Sequence, residues 1–224
     1  MVALVFPALP TVTLPVTGRA ERFPVRRIFC VGRNYAEHAR EMGADEREAP
    51  FFFTKPADAV VESGSRIPYP PATTNLHHEG ELVVAIGKAG KMVSEAEAQV
   101  MIWGHAAGND LTRRDLQAEA KERRRPWDMA KGFDKSAVVG AIRQGALPDG
   151  RLRCSVNGMV RQEARISEMI WSPAAIIAAL SQMVSLSPGD LIFTGTPAGV
   201  GPLNRGDSCK VEIEGLQPAT VTIV

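Results

Sequence analysis

The stretch CSVNGMVRQ is the local feature that most restricts how this chain can fold. Its Asn157-Gly158 pair separates two runs of β-prone residues and suits the type I′ turn that joins adjacent antiparallel strands. Further strands are predicted over residues 51–54, 82–86, 137–142 and 191–194, and from residue 210 to the C-terminus. Strands joined by hairpins, with separate short helices between them, indicate an α+β, β-rich fold rather than a doubly wound sheet.

Two short helices are predicted in the first half of the chain. One covers residues 34–43, with Asn34 as a possible N-cap. The other begins at Ser94, where Glu97 completes a capping box, and ends near Gly104.

Two more helices are predicted further along. One opens at Thr112 with Asp115 at its third position, and it ends before Pro126. The last has Ser172 as N-cap and Pro173 at its first position. Its apolar stripe comprises Ile176, Ile177, Leu180, Met183 and Val184.

Composition excludes several classes of protein. A chain of 224 residues suits one domain with a sizeable core, and its formal charge of +1 gives no reason to expect nucleic acid or membrane as a partner. The chain has three cysteines, Cys30, Cys154 and Cys209, an odd number with no CxxC pair. Neither a disulfide framework nor a thiolate zinc site is therefore expected, and the expected location is the reducing cytoplasm.

The N-terminus is apolar but is not expected to be a secretory signal. It lacks a basic lead-in and is interrupted by prolines. No run approaches the roughly 18 apolar residues of a membrane-spanning helix. No glycine fingerprint for a nucleotide opens a helix, so a nucleotide cofactor has no support.

The stretch NLHHEGELVVAIGK places Glu79 and Glu81 two residues apart at the start of an alternating run. Successive strand side chains point to opposite faces, so these carboxylates share a face, and His77 joins them. A bound cation would relieve the repulsion between the two charges. Two solvated glutamates at an exposed strand end remain an alternative, as does zinc with His77 and His78. However, the HExxH spacing is absent, and carboxylates suit Mg²⁺ or Mn²⁺.

Asp110, in the stretch GNDLTRRDLQ, is a third candidate carboxylate. It lies two residues before the helix predicted from Thr112, where a loop can turn a side chain inward. By itself, Asp110 is better explained as a charge favoured by the helix dipole, and its assignment as a ligand depends on the other motifs.

Six blocks of sequence occur in the order that characterises one family: GRNYAEHAREMG, PFFFTKP, HHEGEL, GNDLTRRDLQ, RPWDMAKGFDKS and FTGTPAGVG. From about residue 28 to residue 206, the chain thus resembles compact members of the fumarylacetoacetate hydrolase family. The resemblance implies that family's C-terminal-domain fold, a mixed β-sandwich roll with a few short helices. The expected division is a β-rich extension, residues 1–27, packing on a single catalytic domain, residues 28–224.

The resemblance also implies a metal site. In the family, two glutamates of the HHExE stretch and the aspartate of the GxDxT stretch bind Mg²⁺ or Mn²⁺. The matching residues are Glu79, Glu81 and Asp110. Gly80 stands where most relatives carry a larger residue, and it is predicted to loosen the strand by roughly 0.5–1 kcal/mol relative to alanine.

Three catalytic residues follow from the same resemblance. Lys131, of the AKxFD stretch, is expected to contact substrate and stabilise negative charge. His38 and Glu41 match the pair that activates water in family members. They are three residues apart, so on a helix the carboxylate can orient the imidazole. A surface ion pair beside Arg40 is the alternative for them.

Substrate binding is assigned to four further residues. In family members the helix face that carries Arg114 and Gln117 reaches the substrate, and the threonine of GTP, here Thr196, approaches its carboxylate. Three ligand carboxylates around a divalent cation would leave a net negative charge, which would repel an anionic keto acid. Positively charged side chains are therefore needed nearby, and Arg33 is a further candidate for binding the substrate in this way. Arg113 and the run 123–125 are interpreted as a solvated helix face.

The predicted activity is metal-dependent hydrolysis of the C–C bond of a small acylpyruvate, a 2,4-diketo acid, most specifically fumarylpyruvate to fumarate and pyruvate. Water positioned by His38 and Glu41 would attack the distal carbonyl, and the metal and Lys131 would stabilise the pyruvate enolate. Oxaloacetate decarboxylation and isomerisation of a hydroxydienoate diacid need the same enolate chemistry. Relatives are usually homodimers, so a homodimer is expected.

Two alternatives lie outside this chemistry. An RNA-binding module could use residues 121–125, but acidic residues interrupt the charge and no aromatic stacking motif accompanies it. An inactive family member is the other, and retention of the three carboxylates and Lys131 argues against it.

Overall fold

A computed structural model describes residues 4–36, 49–146 and 149–224. The helices in this part of the chain are α1 (Glu95–Gln99), α2 (Arg114–Glu122), α3 (Asp128–Lys131) and α4 (Pro173–Met183). The strands are β1 (Thr13–Pro15), β2 (Arg22–Pro24), β3 (Arg27–Val31), β4 (Phe52–Lys55), β5 (Val60–Glu62), β6 (Ser65–Ile67), β7 (Leu76–His78), β8 (Gly80–Ile86), β9 (Ile102–Asp110), β10 (Thr112–Arg113), β11 (Ala137–Val139), β12 (Arg143–Gln144), β13 (Arg151–Val156), β14 (Met159–Arg165), β15 (Asp190–Phe193), β16 (Gly201–Pro202), β17 (Ser208–Ile213) and β18 (Ala219–Ile223).

The strands form two large sheets and two small ones. The largest has eight strands in the order β4-β3-β15-β8-β9-β11-β5, with β12 also paired to β9, and it mixes parallel and antiparallel pairs. A five-stranded sheet runs β14-β13-β17-β18-β6. Strands β10-β7-β16 form a small sheet at one end of the large one, and β1 and β2 form a hairpin.

The largest sheet is buried on both faces, which explains why β8 is buried along its whole length. On one face Leu82 and Val84 pack with the five-stranded sheet and with α4 in one apolar cluster. On the other face Val83 and Ala85 join a second cluster that includes Phe23 of the β1–β2 hairpin. A strand covered on both sides reads as a continuous apolar run rather than as an alternating one.

The β-rich fold class predicted from the sequence is confirmed, and the main strand predictions fall on β4, β8, β11, β15, β17 and β18. Asn157 and Gly158 both have positive φ, at 52° and 81°, as the predicted type I′ turn requires. The strand predicted over 137–142 stops early, at Val139. Beyond it, the backbone at Gly140 approaches a neighbouring segment so closely that a Cβ there would stand 2.8 Å from the carbonyl oxygen of Gln217.

Two helix boundaries were wrong. The helix after Ser94 has the predicted capping box but ends at Gln99, because the residues from Ile102 onwards pair with the central strand β8 instead. The helix predicted from Thr112 begins at Arg114, because Thr112 and Arg113 pair with β7. In both places strand pairing overrides local helix signals.

The last helix matches its prediction at the N-terminus, where Ser172 accepts a hydrogen bond from the backbone N–H of Ala175. Met183 does not belong to the buried stripe, since 63% of it is exposed. The helix predicted over 34–43 falls largely outside the described residues. Asn34 itself donates to the carbonyls of Trp171 and Thr194.

Two of the cysteines that are distant in sequence are neighbours in space. Cys154 and Cys209 lie on the paired strands β13 and β17, with their sulfur atoms 3.5 Å apart as free buried thiols. Among the described residues, no helix is long and apolar enough to cross a membrane.

Candidate active site

The register of β8 against β9 brings Glu79, Glu81 and Asp110 together. Glu81 pairs with Gly108, and the backbone N–H of Asp110 donates to the carbonyl of Glu79 at 2.9 Å, so Asp110 stands opposite Glu79. Residues two apart share a face, and residues directly opposite share it too. One oxygen from each of the three carboxylates lies within 4.8 Å of the others, and all three side chains are buried.

The element that carries Asp110 differs from the one that the sequence predicted. Asp110 is the last residue of β9, not part of a loop before a helix. Its burial at 0% exposure also contradicts the interpretation of the acidic group as solvated. The carboxylate site is therefore an internal feature of the sheet.

Glycines beside the carboxylates let the surrounding strands pack closely. A Cβ on Gly108, opposite Glu81, would stand 2.4 Å from Val83 and 2.9 Å from Phe193. A Cβ on Gly80 would meet that of Cys154 on the five-stranded sheet at 3.0 Å. Gly80 thus permits close sheet packing, which the sequence did not reveal.

Glu81 is a carboxylate whose negative charge is disfavoured by its surroundings. Burial raises the pKa of Glu81 well above its usual value, and the nearby charges of Asp110 and Glu79 raise this pKa further. Its Oε2 accepts a hydrogen bond from the backbone N–H of Gly195 at 2.7 Å. The backbone at Gly195 therefore stabilises a carboxylate of the protein itself.

Lys131 lies directly against the acidic group. Its Nζ donates to Glu79 Oε2 at 2.7 Å, to Asp110 Oδ2 at 2.8 Å and to Thr112 Oγ1 at 2.7 Å. Burial by itself would lower the pKa of Lys131, but Asp110 and Glu79 outweigh it, and the pKa is raised. Lys131 is thus a buried ammonium group that stays charged beside the carboxylates.

Lys55 is a second buried lysine at the site, and no role was predicted for it. Its Nζ lies 2.7 Å from Asp110 Oδ1 and also donates to the backbone carbonyls of Leu111 and Lys131. The side chain is 0% exposed. Its position in the block PFFFTKP was the available signal, but nothing there shows that the lysine points inward.

Arg114 and Gln117 lie on one face of α2, as their spacing of three residues predicted, and Arg114 reaches the acidic group. Arg114 donates to Glu79 Oε1 at 2.5 Å and to Gln117 Oε1 at 2.5 Å. It also approaches His77 Nδ1 at 3.4 Å. His78 points elsewhere, to Gln162 Oε1 at 3.1 Å, so the two adjacent histidines do not share one site.

Thr196 is buried behind the strand that carries the glutamates. Its hydroxyl donates to the carbonyl of Gly80 at 2.9 Å and accepts from the Gln162 amide at 2.7 Å. Gln162 also accepts from the backbone N–H of Gly80 at 3.0 Å. Gln162 and Thr196 therefore hold the backbone of β8 at Gly80, a contact across distant segments that the sequence did not indicate.

The remaining predicted residues are placed only in part. The guanidinium of Arg33 lies over the ring of Phe51, 5.4 Å from its centroid. His38 and Glu41 lie outside the described residues, so their predicted role as a water-activating pair stays a prediction.

The acidic group fits a hard divalent cation. Its donors are carboxylate oxygens, which suit Mg²⁺ and Mn²⁺. Asp110 Oδ1 is buried, with the ammonium of Lys55 2.7 Å away. The three crowded carboxylates repel one another, and a cation between them would relieve that repulsion.

Known proteins are similar to this chain in both sequence and fold. The family description "Fumarylacetoacetate (FAA) hydrolase C-terminal" matches residues 27–224. A fumarylpyruvate hydrolase from a Ralstonia species is 45% identical over 179 residues, which cover 79% of this chain and 93% of the relative. The mitochondrial oxaloacetate tautomerase of Mus musculus is 43% identical over 195 residues, which cover 85% and 88%. The crystal structure of fumarylpyruvate hydrolase from Pseudomonas aeruginosa in complex with Mn²⁺ and pyruvate matches with a TM-score of 0.96, at 46% identity, over 99% of each chain.

Proposed function

The chain belongs to the fumarylacetoacetate hydrolase family and is an enzyme of that family; from this membership we propose that it hydrolyses the C–C bond of a small acylpyruvate, with fumarylpyruvate as substrate and fumarate and pyruvate as products. The observation that carries the proposal is the buried group of Glu79, Glu81 and Asp110 with the ammonium of Lys131 against it. Relatives at 45% and 46% identity named as fumarylpyruvate hydrolases support the choice of substrate.

We propose that Glu79, Glu81 and Asp110 hold Mg²⁺, with Mn²⁺ as the alternative. A divalent ion at this position supplies Lewis acidity toward a keto oxygen of the substrate. The Mn²⁺ in the Pseudomonas aeruginosa complex supports a divalent ion of this kind.

The protein's cations account for the charge of the substrate. Lys55, Lys131 and Arg114 each lie within 2.8 Å of a carboxylate of the acidic group, so they balance its three negative charges. A bound divalent ion then gives the site a surplus of positive charge. A dianion such as fumarylpyruvate neutralises this surplus, which favours its binding in a buried site.

We assign separate tasks to the chain's own groups. Arg114, held against Gln117, presents a planar guanidinium that can bind the substrate carboxylate. The positive charge of Lys131, whose ammonium is held by Glu79, Asp110 and Thr112, stabilises the oxygen on which negative charge develops as the C–C bond breaks. His38 and Glu41 are proposed to activate water, and Arg33 and Thr196 to contact the substrate.

The test is turnover by purified protein with Mg²⁺ or Mn²⁺ and each of fumarylpyruvate, acetylpyruvate and oxaloacetate. We expect fumarylpyruvate to give fumarate and pyruvate, resolved by chromatography, and the reaction to stop when EDTA removes the metal. Consumption of oxaloacetate alone would overturn the hydrolase assignment.

A second candidate is conversion of oxaloacetate, by tautomerisation or decarboxylation. The specific observation in its favour is the 43% identity to an oxaloacetate tautomerase. Both reactions pass through an enol or enolate of a keto acid, so the same lysine and carboxylates serve either one. The three-substrate assay separates the two candidates.

We also propose a domain organisation, an oligomeric state and a location for the whole molecule. Residues 28–224 form one catalytic domain on which residues 1–27 pack, the enzyme is a homodimer, and it acts in the cytoplasm. Light scattering of the purified protein measures its mass in solution. A mass near 24.1 kDa, that of a single chain, would refute the dimer.

A further inference from the structure

A cavity of about 440 Å³ lies beside the acidic group and shares Lys131 with it. Its walls include Phe51, Phe53 and Trp127, and the charged side chains of Arg125 and Asp128 also line it. The rings of Phe51 and Trp127 meet edge to face with centroids 5.4 Å apart, and Phe53 lies 5.9 Å from Trp127. The cavity is therefore an aromatic chamber that opens onto the proposed catalytic lysine.

Each of the three rings carries a cation. The pairs and their distances to the ring centroid are Arg33 over Phe51 at 5.4 Å, Lys131 over Phe53 at 5.0 Å, and Lys121 over Trp127 at 5.4 Å. Flat aromatic walls suit a planar conjugated group, and cations stacked on those rings suit a negative charge on that group.

Lys121 lies over Trp127, a wall of this chamber, and is half-buried. Among the described residues, no carboxylate forms an ion pair with it. Burial lowers the pKa of Lys121, and the nearby charges of Arg33 and Arg114 lower it further, while the charge of Glu79 acts in the opposite direction. A half-buried ammonium among other cations is stabilised when an anion binds beside it.

The helix α2 sets the distance between the two ends of the site. Arg114, Gln117 and Lys121 lie on one face of it, at spacings of three and four residues. Arg114, which touches Glu79, and Lys121 are separated along the axis by about 10 Å, at 1.5 Å per residue. An extended diketo dicarboxylic acid has a similar reach, since its carbon–carbon bonds are each about 1.5 Å long.

We propose that this aromatic chamber holds the acyl end of the substrate and that Lys121 binds a carboxylate at the far tip of the acyl group. The inference rests on the proposed function and narrows its substrate class to acylpyruvates whose acyl group is flat, unsaturated and ends in a carboxylate. Lys121 is thus a specificity residue, and the residues 123–125 that follow it are not all a plain solvated face, since Arg125 borders the same chamber.

The test compares fumarylpyruvate with acetylpyruvate, which has no second carboxylate. Lys121→Met keeps an apolar stem over Trp127 and removes the charge. The ratio of kcat/KM for fumarylpyruvate to that for acetylpyruvate should fall about tenfold to a hundredfold, the value of a charge-assisted hydrogen bond. Lys121→Arg should restore most of the ratio.

The matched control is Arg123→Met, which removes one positive charge from the same helix end, where Arg123 forms an exposed ion pair with Glu119. The ratio in this variant should stay within about twofold of the wild type, because exposed pairs contribute little. An unchanged ratio in Lys121→Met, or an equal fall in Arg123→Met, would overturn the inference.

A binding measurement separates this inference from the proposed function. If the wild type cleaves neither acylpyruvate, the proposed function is wrong, and the chamber is tested by calorimetry with Mn²⁺-loaded protein. Fumarate and crotonate share a carbon skeleton but carry two carboxylates and one, respectively. Lys121→Met should weaken fumarate binding about tenfold and leave crotonate binding nearly unchanged; equal effects on both would refute the role of Lys121.

Discussion

The two sides of the active site are held in place by different means. Glu79, Glu81 and Asp110 come from two central strands, are buried, and receive bonds from backbone groups, lysines or an arginine. Lys121 and Trp127, across the site, stand at the end of a helix and in the turn after it, and are half-buried. Substitutions on the strand side should disturb chemistry and fold together, whereas those on the helix side should change substrate preference in an intact fold.

The largest effect is expected from Glu81→Gln on the strand side. The variant should lose about a thousandfold or more in kcat with Mn²⁺, because loss of a ligand weakens the Lewis acid, which is worth several kcal/mol. In EDTA its melting temperature should instead rise, because Glu81 is a buried charge among like charges. Glu95→Gln, on the exposed first turn of α1, should change neither quantity. A fall in the melting temperature of the metal-free variant would contradict the account of Glu81.

Lys55→Met tests whether the strand side of the site supports the stability of the fold. It leaves the buried Asp110 with one fewer counter-charge, so the free energy of unfolding should fall by about 3–5 kcal/mol, measured by urea denaturation. Lys91→Met is the control, because Lys91 is exposed and has no ion pair within the described ranges. If both variants unfold at the same urea concentration, Lys55 does not support the fold as inferred.

Gly195→Ala tests how tightly the strand side is built. Gly195 has φ at +96°, and an added Cβ would stand 2.7 Å from that of Asn34. The free energy of unfolding should fall by about 1–3 kcal/mol, and the apparent affinity for Mn²⁺ should drop as the bond to Glu81 shifts. Gly18→Ala shares the positive φ, at +72°, but has open space around it, so its smaller cost isolates the clash. Equal costs would show that only backbone strain matters.

Phe51→Leu, which alters the ring that packs against Trp127 on the helix side, should have the smallest effect. It removes an edge-to-face contact with Trp127 worth about 0.5–1.5 kcal/mol. The KM for fumarylpyruvate should rise between about twofold and tenfold, while kcat and the melting temperature change little. A loss of kcat comparable to that of Glu81→Gln would break the proposed division between the two sides.

Local sequence signals predicted those parts of the fold that depend on neighbouring residues. The Asn157-Gly158 turn, the capping box at Ser94 and the N-terminus of α4 all match their predictions. The errors lie where long-range pairing prevailed: β9 took residues that a helix was expected to use, and β10 delayed the start of α2. Registers between distant strands cannot be read from local patterns, because they depend on the packing of the whole sheet.

The candidate site shows the same division. Glu79 and Glu81 could be placed on one face because their spacing alone determines it. Asp110, Lys131 and Lys55 meet them only through the pairing of β8 with β9 and the packing of β4 beside α3. The family resemblance supplied Asp110 and Lys131. It did not supply Lys55, Gln162 or the half-buried setting of Lys121.

The burial of β8 on both faces also bears on how the protein opens transiently. Amide protons in a central strand covered by two apolar clusters exchange with solvent only when most of the molecule unfolds. The carboxylates at the end of this strand should therefore remain assembled through ordinary thermal fluctuations, even before a metal arrives. In a hydrogen–deuterium exchange experiment, β8 should be among the slowest segments and residues 121–127 among the fastest.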